Sequence, residues 1–247
     1  MNSLRRMLNV LNLFGADQPV IDVETICQTL GYTAPSAYRY LRELSEFGLL
    51  VRLPRGYALG PKVIALERQM TDYDPLINLS RDLVDQLVAD TGLDALISEW
   101  YGDSVVNVLI KRGLDEGPAS GGRGRSMDLF QSATARVVLA NLLPRQIRKV
   151  FDSHSKQIEH THPGLDWKAF NKNLSTIRKQ GFCISESELH AGRAGVAAPI
   201  FDEKKRILGS MTLVGRRERF HAFQQSFLCR QVTEAAAELT SRIAFQK

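Results

Sequence analysis

Between Gly31 and Leu50 the chain reads GYTAPSAYRYLRELSEFGLL, and the residues there that can do chemistry are arginines and hydroxyls. At 100° per residue a helix in this stretch places Tyr38, Arg39, Arg42 and Glu46 opposite Ala37, Leu41 and Leu44, with Thr33 and Ser36 at its N-terminal edge. Such a row suits a polyanion. The planar guanidinium fork takes O6 and N7 of guanine together, worth roughly 1–3 kcal/mol of discrimination, whereas a contact to phosphate positions a protein without reading sequence. Arg39 is the candidate base reader. Ser36, Tyr38 and Arg42 are the candidate phosphate contacts, with Thr33 beside them. A solvated helix face with two ordinary arginines fits the isolated segment equally well.

The surrounding elements shift that balance. Leu4, Met7, Leu8, Leu11 and Phe14 recur at three and four residues and predict a first helix ended by Gly15; Val23, Ile26, Cys27 and Leu30 predict a second, with Gly31 as its left-handed terminator. In the third helix Thr33 is the expected cap, Pro35 lies in the first turn, and Gly48 stops it. Two helices joined by so short a turn form a helix-turn-helix. LLVRLPRGYALG then alternates about a turn at Pro54-Arg55-Gly56, predicting strands over 49–53 and 56–59, a hairpin or wing with Arg55 at its tip, in reach of an adjacent minor groove or backbone.

A helix over 61–72 follows, and Tyr73-Asp74-Pro75 marks a boundary. The expected organisation is a DNA-binding domain at 1–60, a linker helix at 61–74 and a second domain at 75–247. In that second domain, helices are expected at 76–91, 131–142, 166–180 and 224–245. LDALISEW, SVVNVLIK, GVAAPIF and ILGSMTLVG read as strands, the first two joined by Tyr101-Gly102-Asp103 and the last two around a charged turn at 202–206. Helices segregated from antiparallel strands make the fold class α+β, a winged helix-turn-helix domain followed by an α/β domain with a central antiparallel sheet.

Composition bounds the alternatives. With 247 residues, 44% hydrophobic and 24% charged, the chain has an ordinary globular make-up with room for two domains. The net charge of +5 permits an anionic partner without demanding one. Residues 1–74 carry eight basic and eight acidic side chains, so nucleic-acid binding must rest on a local patch. No apolar run approaches the roughly 18 residues needed to cross a bilayer, and no signal peptide precedes the first helix, so a cytoplasmic protein without membrane contact is expected. Cys27, Cys183 and Cys229 lack metal or disulfide spacing and are expected to pack.

The case for an enzyme is thin. GGRGR at 121–125 is a possible phosphate cradle but lacks the Lys-Ser/Thr ending of a P-loop. His154, His160 and His162 lie in the polar stretch SHSKQIEHTHPG without metalloprotease spacing, and Ser187 has no identifiable base. No catalytic residue, metal site or cofactor is expected, and a small-molecule or metal-dependent enzyme is the alternative. The loop 112–126, RGLDEGPASGGRGRS, reads either as a surface connection or as a segment closing over an anionic ligand. In DLFQSATARVVLA, Ser132, Ala133 and Thr134 fall at a helix start, where N–H groups favour an anion, or where Ser132 is simply a cap before close-packed small residues.

SLRRMLNVLNLF, VETICQTLGYTAPSAYRYLRELSEFGLL and RGYALGPKVIAL together resemble the winged-helix domain of IclR-family bacterial transcriptional regulators. SATARVVLANL and QGFCISESELHAGRAGVAAPIFDEKKRILGSMTLVG resemble that family's C-terminal, GAF-like effector-binding domain, so the resemblance spans nearly the whole chain. It implies a ligand-responsive regulator bound to double-stranded operator DNA, with an effector held by Ser132, Ala133, Thr134, Ser185, Glu188, Ala198 and Pro199. The family often has glycine and alanine where this chain has Ala133 and Thr134, which predicts a narrower, more hydroxylic entrance. Two half-sites about 34 Å apart call for a homodimer or a dimer of dimers.

Overall fold

The structure is a computed structural model in which residues 2–15, 17–115, 122–186 and 191–245 are described. It divides into two units, Met1–Asp74 and Pro75–Lys247.

The first unit opens with α1 (Ser3–Asn9), capped by the Asn2 side chain on the Arg5 N–H, and tightens into a 3-10 turn over Val10–Leu13. Met7, Leu11 and Phe14 of the predicted stripe pack against the core of this unit and the 3-10 turn adds the fully buried Val10, whereas Leu4 and Leu8, on α1 ahead of that turn, are 64% and 47% exposed. α2 (Val23–Leu30) is capped by Asp22 on the Thr25 N–H and ends at Gly31, whose φ of 65° a side chain would strain. α3 (Ala34–Glu46) buries Ala37, Tyr40, Leu41 and Leu44 against Val10, Ile21, Ile26 and Leu50. Thr33 sits extended at its start, yet its hydroxyl donates to Ser36 Oγ at 3.0 Å rather than closing a backbone cap.

β1 (Leu50–Leu53) and β2 (Gly56–Leu59) pair antiparallel, and Ile21 exchanges backbone hydrogen bonds with Tyr57, which pins the wing to the segment before α2. α4 (Pro61–Tyr73) has Pro61 at its start and buries none of its residues.

The second unit begins with α5 (Pro75–Thr91). β3 (Asp94–Trp100) and β4 (Val105–Lys111) form a hairpin with a bulge between Ile97 and Ser98. Then come α6 (Ala133–Ala140), α7 (Pro144–Ser153), α8 (Ser155–Thr161) and α9 (Trp167–Gln180). β5 (Cys183–Glu186), β6 (Arg193–Phe201), β7 (Ile207–Arg216), α10 (Arg217–His221) and α11 (Gln225–Phe245) complete the chain. The five strands form one antiparallel sheet in the order β4-β3-β7-β6-β5.

Period-two alternation gives the sheet two apolar faces. Ala95, Ile97, Val196, Ala198, Ile200, Met211 and Leu213 pack under α5 and α11. Val105, Cys183 and Ala197 join α6 and α9 on the other side. The stretch read as a polar histidine segment is α8 with its flanks, anchored by buried Ile158.

Candidate functional site

On α3 the side chains proposed to meet DNA are in the open. Tyr38 is 60% exposed, Arg39 is exposed with its guanidinium carbon 5.3 Å from the Tyr40 ring centroid, and Ser36 is half-buried at the first turn. Arg42 Nε donates to Glu46 Oε1 at 2.8 Å, and both side chains are more than half exposed. That bond raises the Arg42 pKa and keeps it charged. Arg55 is exposed at the hairpin turn. Arg39 has no carboxylate partner among the described residues, so its fork is available, whereas Arg42 must share with Glu46. A cleft of about 620 Å³ between the wing and the starts of α2 and α3 is lined by Asp22 and Glu24 as well as Arg52, so this crease is a poorer seat for a phosphate than the exposed Arg39.

In the second unit Ser132, Ala133 and Thr134 are all buried at the start of α6. Ser132 Oγ accepts from the Ala135 N–H at 3.4 Å and serves as the helix cap, while Asp128 Oδ1 accepts from the N–H groups of Phe130 and Gln131 at 2.8 Å each. Thr134 Oγ1 meets Thr212 Oγ1 at 3.0 Å, and Ser210 Oγ donates to the Thr134 carbonyl at 3.0 Å. The sheet beneath is polar for this reason. Pro199, Ser210, Ser98 and Asn107 are direct cross-strand partners over β6, β7, β3 and β4, and directly paired side chains share a face.

In this row Ser98 Oγ donates to Asn107 Oδ1 at 2.7 Å, and the buried Asn107 Nδ2 has no hydrogen-bond partner. An unpaired buried N–H normally costs about 1–3 kcal/mol, so such an atom calls for an explanation.

The effector residues implied by resemblance thus divide. Ser132, Ala133, Thr134 and Pro199 gather on the α6 side of the sheet, and Ser185, half-buried on β5, pairs with Gly195. Ala198 packs under α11 on the opposite face, and Ala197 is the residue turned toward α6. Glu188 and Ser187 lie outside the described residues, as do residues 116–121 of the 112–126 loop. Residues 122–126 of that loop run beside β4, with Gly124 N–H donating to the Asn107 carbonyl at 2.8 Å, while Leu114 N–H donates to the Gly92 carbonyl at 2.8 Å. Ser98, Asn107, Ser210 and Thr212 were not singled out from sequence, although their alternation with Ile97, Met211 and Leu213 was the available signal.

The histidines have a packing role. His154 and His162 lie edge-on to Phe130 at 5.9 and 5.8 Å between centroids, and His160 is exposed. Among the described residues no group of three His, Cys, Asp or Glu side chains is arranged to hold a metal, and no helix is long and apolar enough to cross a membrane. Cys183 and Cys229 are buried free thiols, and burial pushes the Cys229 thiol up.

Several carboxylates tie this unit together. Burial raises Asp115 and Asp202, but it is outweighed in Asp115 by the Arg216 N–H and the Arg219 guanidinium, and in Asp202 by the Arg206 N–H and side chain, so both titrate below the ordinary carboxylate range. A depressed folded pKa gives stability that is complete above the unfolded value of about 3.9 and is lost as pH falls through the folded one. The melting temperature of the second unit is therefore expected to hold through mildly acidic pH and to drop below about pH 4, with Asp202→Asn flattening the drop; differential scanning calorimetry across pH checks it.

A winged helix-turn-helix whose α3 exposes Arg39 and Arg42, carried on a chain whose other unit is an α/β sheet domain with a polar row under a helix start, is the architecture of a one-component DNA-binding regulator. Comparison with known proteins agrees. Residues 3–54 match the IclR helix-turn-helix domain, and residues 69–241 match the bacterial transcriptional regulator IclR C-terminal domain. The chain belongs to the IclR family of bacterial transcriptional regulators.

It is 22% identical over 245 residues to the HTH-type transcriptional regulator KipR of Bacillus subtilis, covering 97% of this chain and 96% of that one. An IclR transcriptional regulator from Alicyclobacillus acidocaldarius superposes with a TM-score of 0.80 at 20% identity, over 98% of this chain and 97% of the other. An IclR homologue from Microbacterium hydrocarbonoxydans, solved with 4-hydroxybenzoate, gives a TM-score of 0.80 at 16% identity over 98% and 99% of the two chains. These relatives are regulators rather than enzymes.

Proposed function

We propose that residues 1–60 bind operator DNA through α3 and the wing, that the helix at 61–74 transmits a signal, and that 75–247 binds a small organic acid, with an aromatic carboxylate the favoured class. The acid sits between the start of α6 and the row Pro199–Ser210–Ser98–Asn107. One observation carries the effector reading: the Asn107 Nδ2 donor, buried and unpartnered beside hydroxyls, is satisfied by a ligand oxygen. The 4-hydroxybenzoate bound by the Microbacterium homologue supports an aromatic acid. Thr33, Ser36, Tyr38, Arg42 and Arg55 contact backbone and Arg39 reads a base.

The regulator acts in the cytoplasm as a homodimer, or a dimer of dimers, because one winged helix buries too little surface for high specificity. Val63, Leu66, Met70 and Tyr73 follow a three-four-three spacing on α4, and the last three are 41%, 57% and 85% exposed, which suits a seam with a second copy. An effector shifts the two operator-reading helices only through different affinities for their arrangements.

The test is a thermal-shift screen of aromatic and aliphatic carboxylic acids, repeated with DNA from the gene's own upstream region. A stabilising acid that is not turned over, and that Asn107→Leu no longer recognises while its apo protein still binds DNA, is the expected result. Turnover of that acid overturns the sensor reading, and undiminished binding to Asn107→Leu removes Asn107 from the site.

A further inference from the structure

Outside the face already assigned, the first unit contains a second basic group with an unusual setting. The Arg6 guanidinium carbon lies 4.3 Å from the centroid of the Tyr32 ring, and Tyr32 in turn donates its hydroxyl hydrogen to the Arg6 carbonyl at 3.2 Å. Tyr32 meets Tyr40 edge to face at 5.9 Å between centroids and 77° between planes. Tyr40 carries Arg39 over its own ring, and its hydroxyl is 3.3 Å from Ser3 Oγ. Arg6, Tyr32, Tyr40 and Arg39 thus form one chain of contacts running from α1 to α3. Both tyrosines are buried, 7% and 3% exposed, so the rings are fixed platforms, while Arg39 is exposed and Arg6 half-exposed. Neither guanidinium has a carboxylate partner among the described residues.

Two cations set on a rigid aromatic pair without an acid to neutralise them are held by weak cation–π contacts, which bias their direction but give way to a charge-assisted bond to phosphate. We propose that Arg6 is a second operator contact, to phosphate, and that the Tyr32–Tyr40 pair is a positioning device that sets Arg6 in register with the base-reading Arg39. α1 then grips the strand flanking the groove that α3 enters. This extends the reading of α3 as the operator helix and depends on it.

The experiment uses the full-length protein and a duplex enriched from random-sequence DNA by the wild type, with affinity measured over a range of salt concentrations. Arg6→Gln is expected to weaken every sequence alike and to lower the magnitude of the log–log salt slope by about 0.9 per half-site. Arg39→Ala instead changes the preference for one base pair. Tyr40→Phe keeps the ring and is expected to keep that preference, whereas Tyr40→Leu removes the platform and flattens it. If Tyr40→Leu fails to fold, Tyr32→Leu reads the same contacts through the salt slope. An unchanged slope in Arg6→Gln overturns the proposal while leaving the operator helix intact, and a base preference in Tyr40→Leu equal to wild type overturns the positioning role. No effect of Arg39→Ala would instead sink the assignment of α3 itself.

Discussion

Arg39→Ala is expected to flatten discrimination at one operator base pair by about 1–3 kcal/mol, a factor of roughly 5 to 150 in relative affinity per half-site. The expectation follows from what the side chain lacks as much as from what it has. Arg39 is exposed on α3, opposite Ala37, Leu41 and Leu44, and no carboxylate among the described residues holds its fork. In the free protein its guanidinium lies against Tyr40, a neutral neighbour that leaves its charge unpaired for a guanine.

Arg42 is the internal control. Its ion pair with Glu46 has side chains 75% and 59% exposed, and solvent screens such a surface pair so far that it adds little. Arg42→Ala should therefore weaken all duplexes by a similar factor without altering their ranking. Binding of both variants to a panel of single-base substitutions in the selected duplex separates the two roles. A ranking preserved in Arg39→Ala would take base reading away from that residue. Because neither side chain joins the buried cluster around Leu41 and Leu44, the first unit should melt as the wild type does.

Much of this interface is legible in the sequence because local rules determine it. Gly31 must end α2, Pro35 must lie in a first turn, and 3.6-residue periodicity alone puts Arg39 and Arg42 outside. The first helix is different: its stripe places Met7, Leu11 and Phe14 inside as it predicts but leaves Leu4 and Leu8 exposed, and nothing in MLNVLNLF announces the switch to 3-10 geometry that buries Val10. In the second unit, long elements such as α5, α9 and α11 are readable from periodicity. β5 has four residues and α10 five, too few to show a period, and α8 places a single buried Ile158 among polar neighbours.

The effector face is only half legible. GVAAPI carries no polar residue to mark which side is which, so Ala197 and Ala198 are interchangeable until the pairing with Thr212 and Met211 is known. Ser210 and Thr212 alternate with Met211 and Leu213 in plain view, but that they meet Thr134 is a contact across about 77 residues of chain, which no local pattern encodes.

The larger stability effect is expected from Asp94→Ala. Asp94 opens β3 and is 1% exposed. Its Oδ1 accepts from the Gly113 N–H at 2.8 Å, and its Oδ2 accepts from Arg112 Nη1 at 3.1 Å and Arg193 Nη2 at 3.2 Å. One carboxylate therefore joins the start of β3, the chain leaving β4 and the start of β6. The two arginines respond differently to its loss. Arg112 is 41% exposed and can turn to water, whereas Arg193 is 16% exposed, has less access to solvent, and stays within the field of Asp115.

Losing this acceptor, itself 1% exposed, leaves the Gly113 N–H short of its bond and costs about 1–3 kcal/mol, a large share of a domain stability near 5–15 kcal/mol. Urea titration of the second unit's transition is expected to show that loss, with Asp94→Asn intermediate because it keeps an acceptor for Gly113 while surrendering the charge. A cost below about 1 kcal/mol would mean that solvent screens the whole cluster. A ligand that binds only the folded unit returns about 2.7 kcal/mol at a hundred times its Kd. An acid found in the screen should therefore restore most of the Asp94→Ala transition, yet fail to restore an Asp94→Ala, Asn107→Leu double variant. That difference separates a fold weakened at the β3 start from a binding row damaged at Asn107.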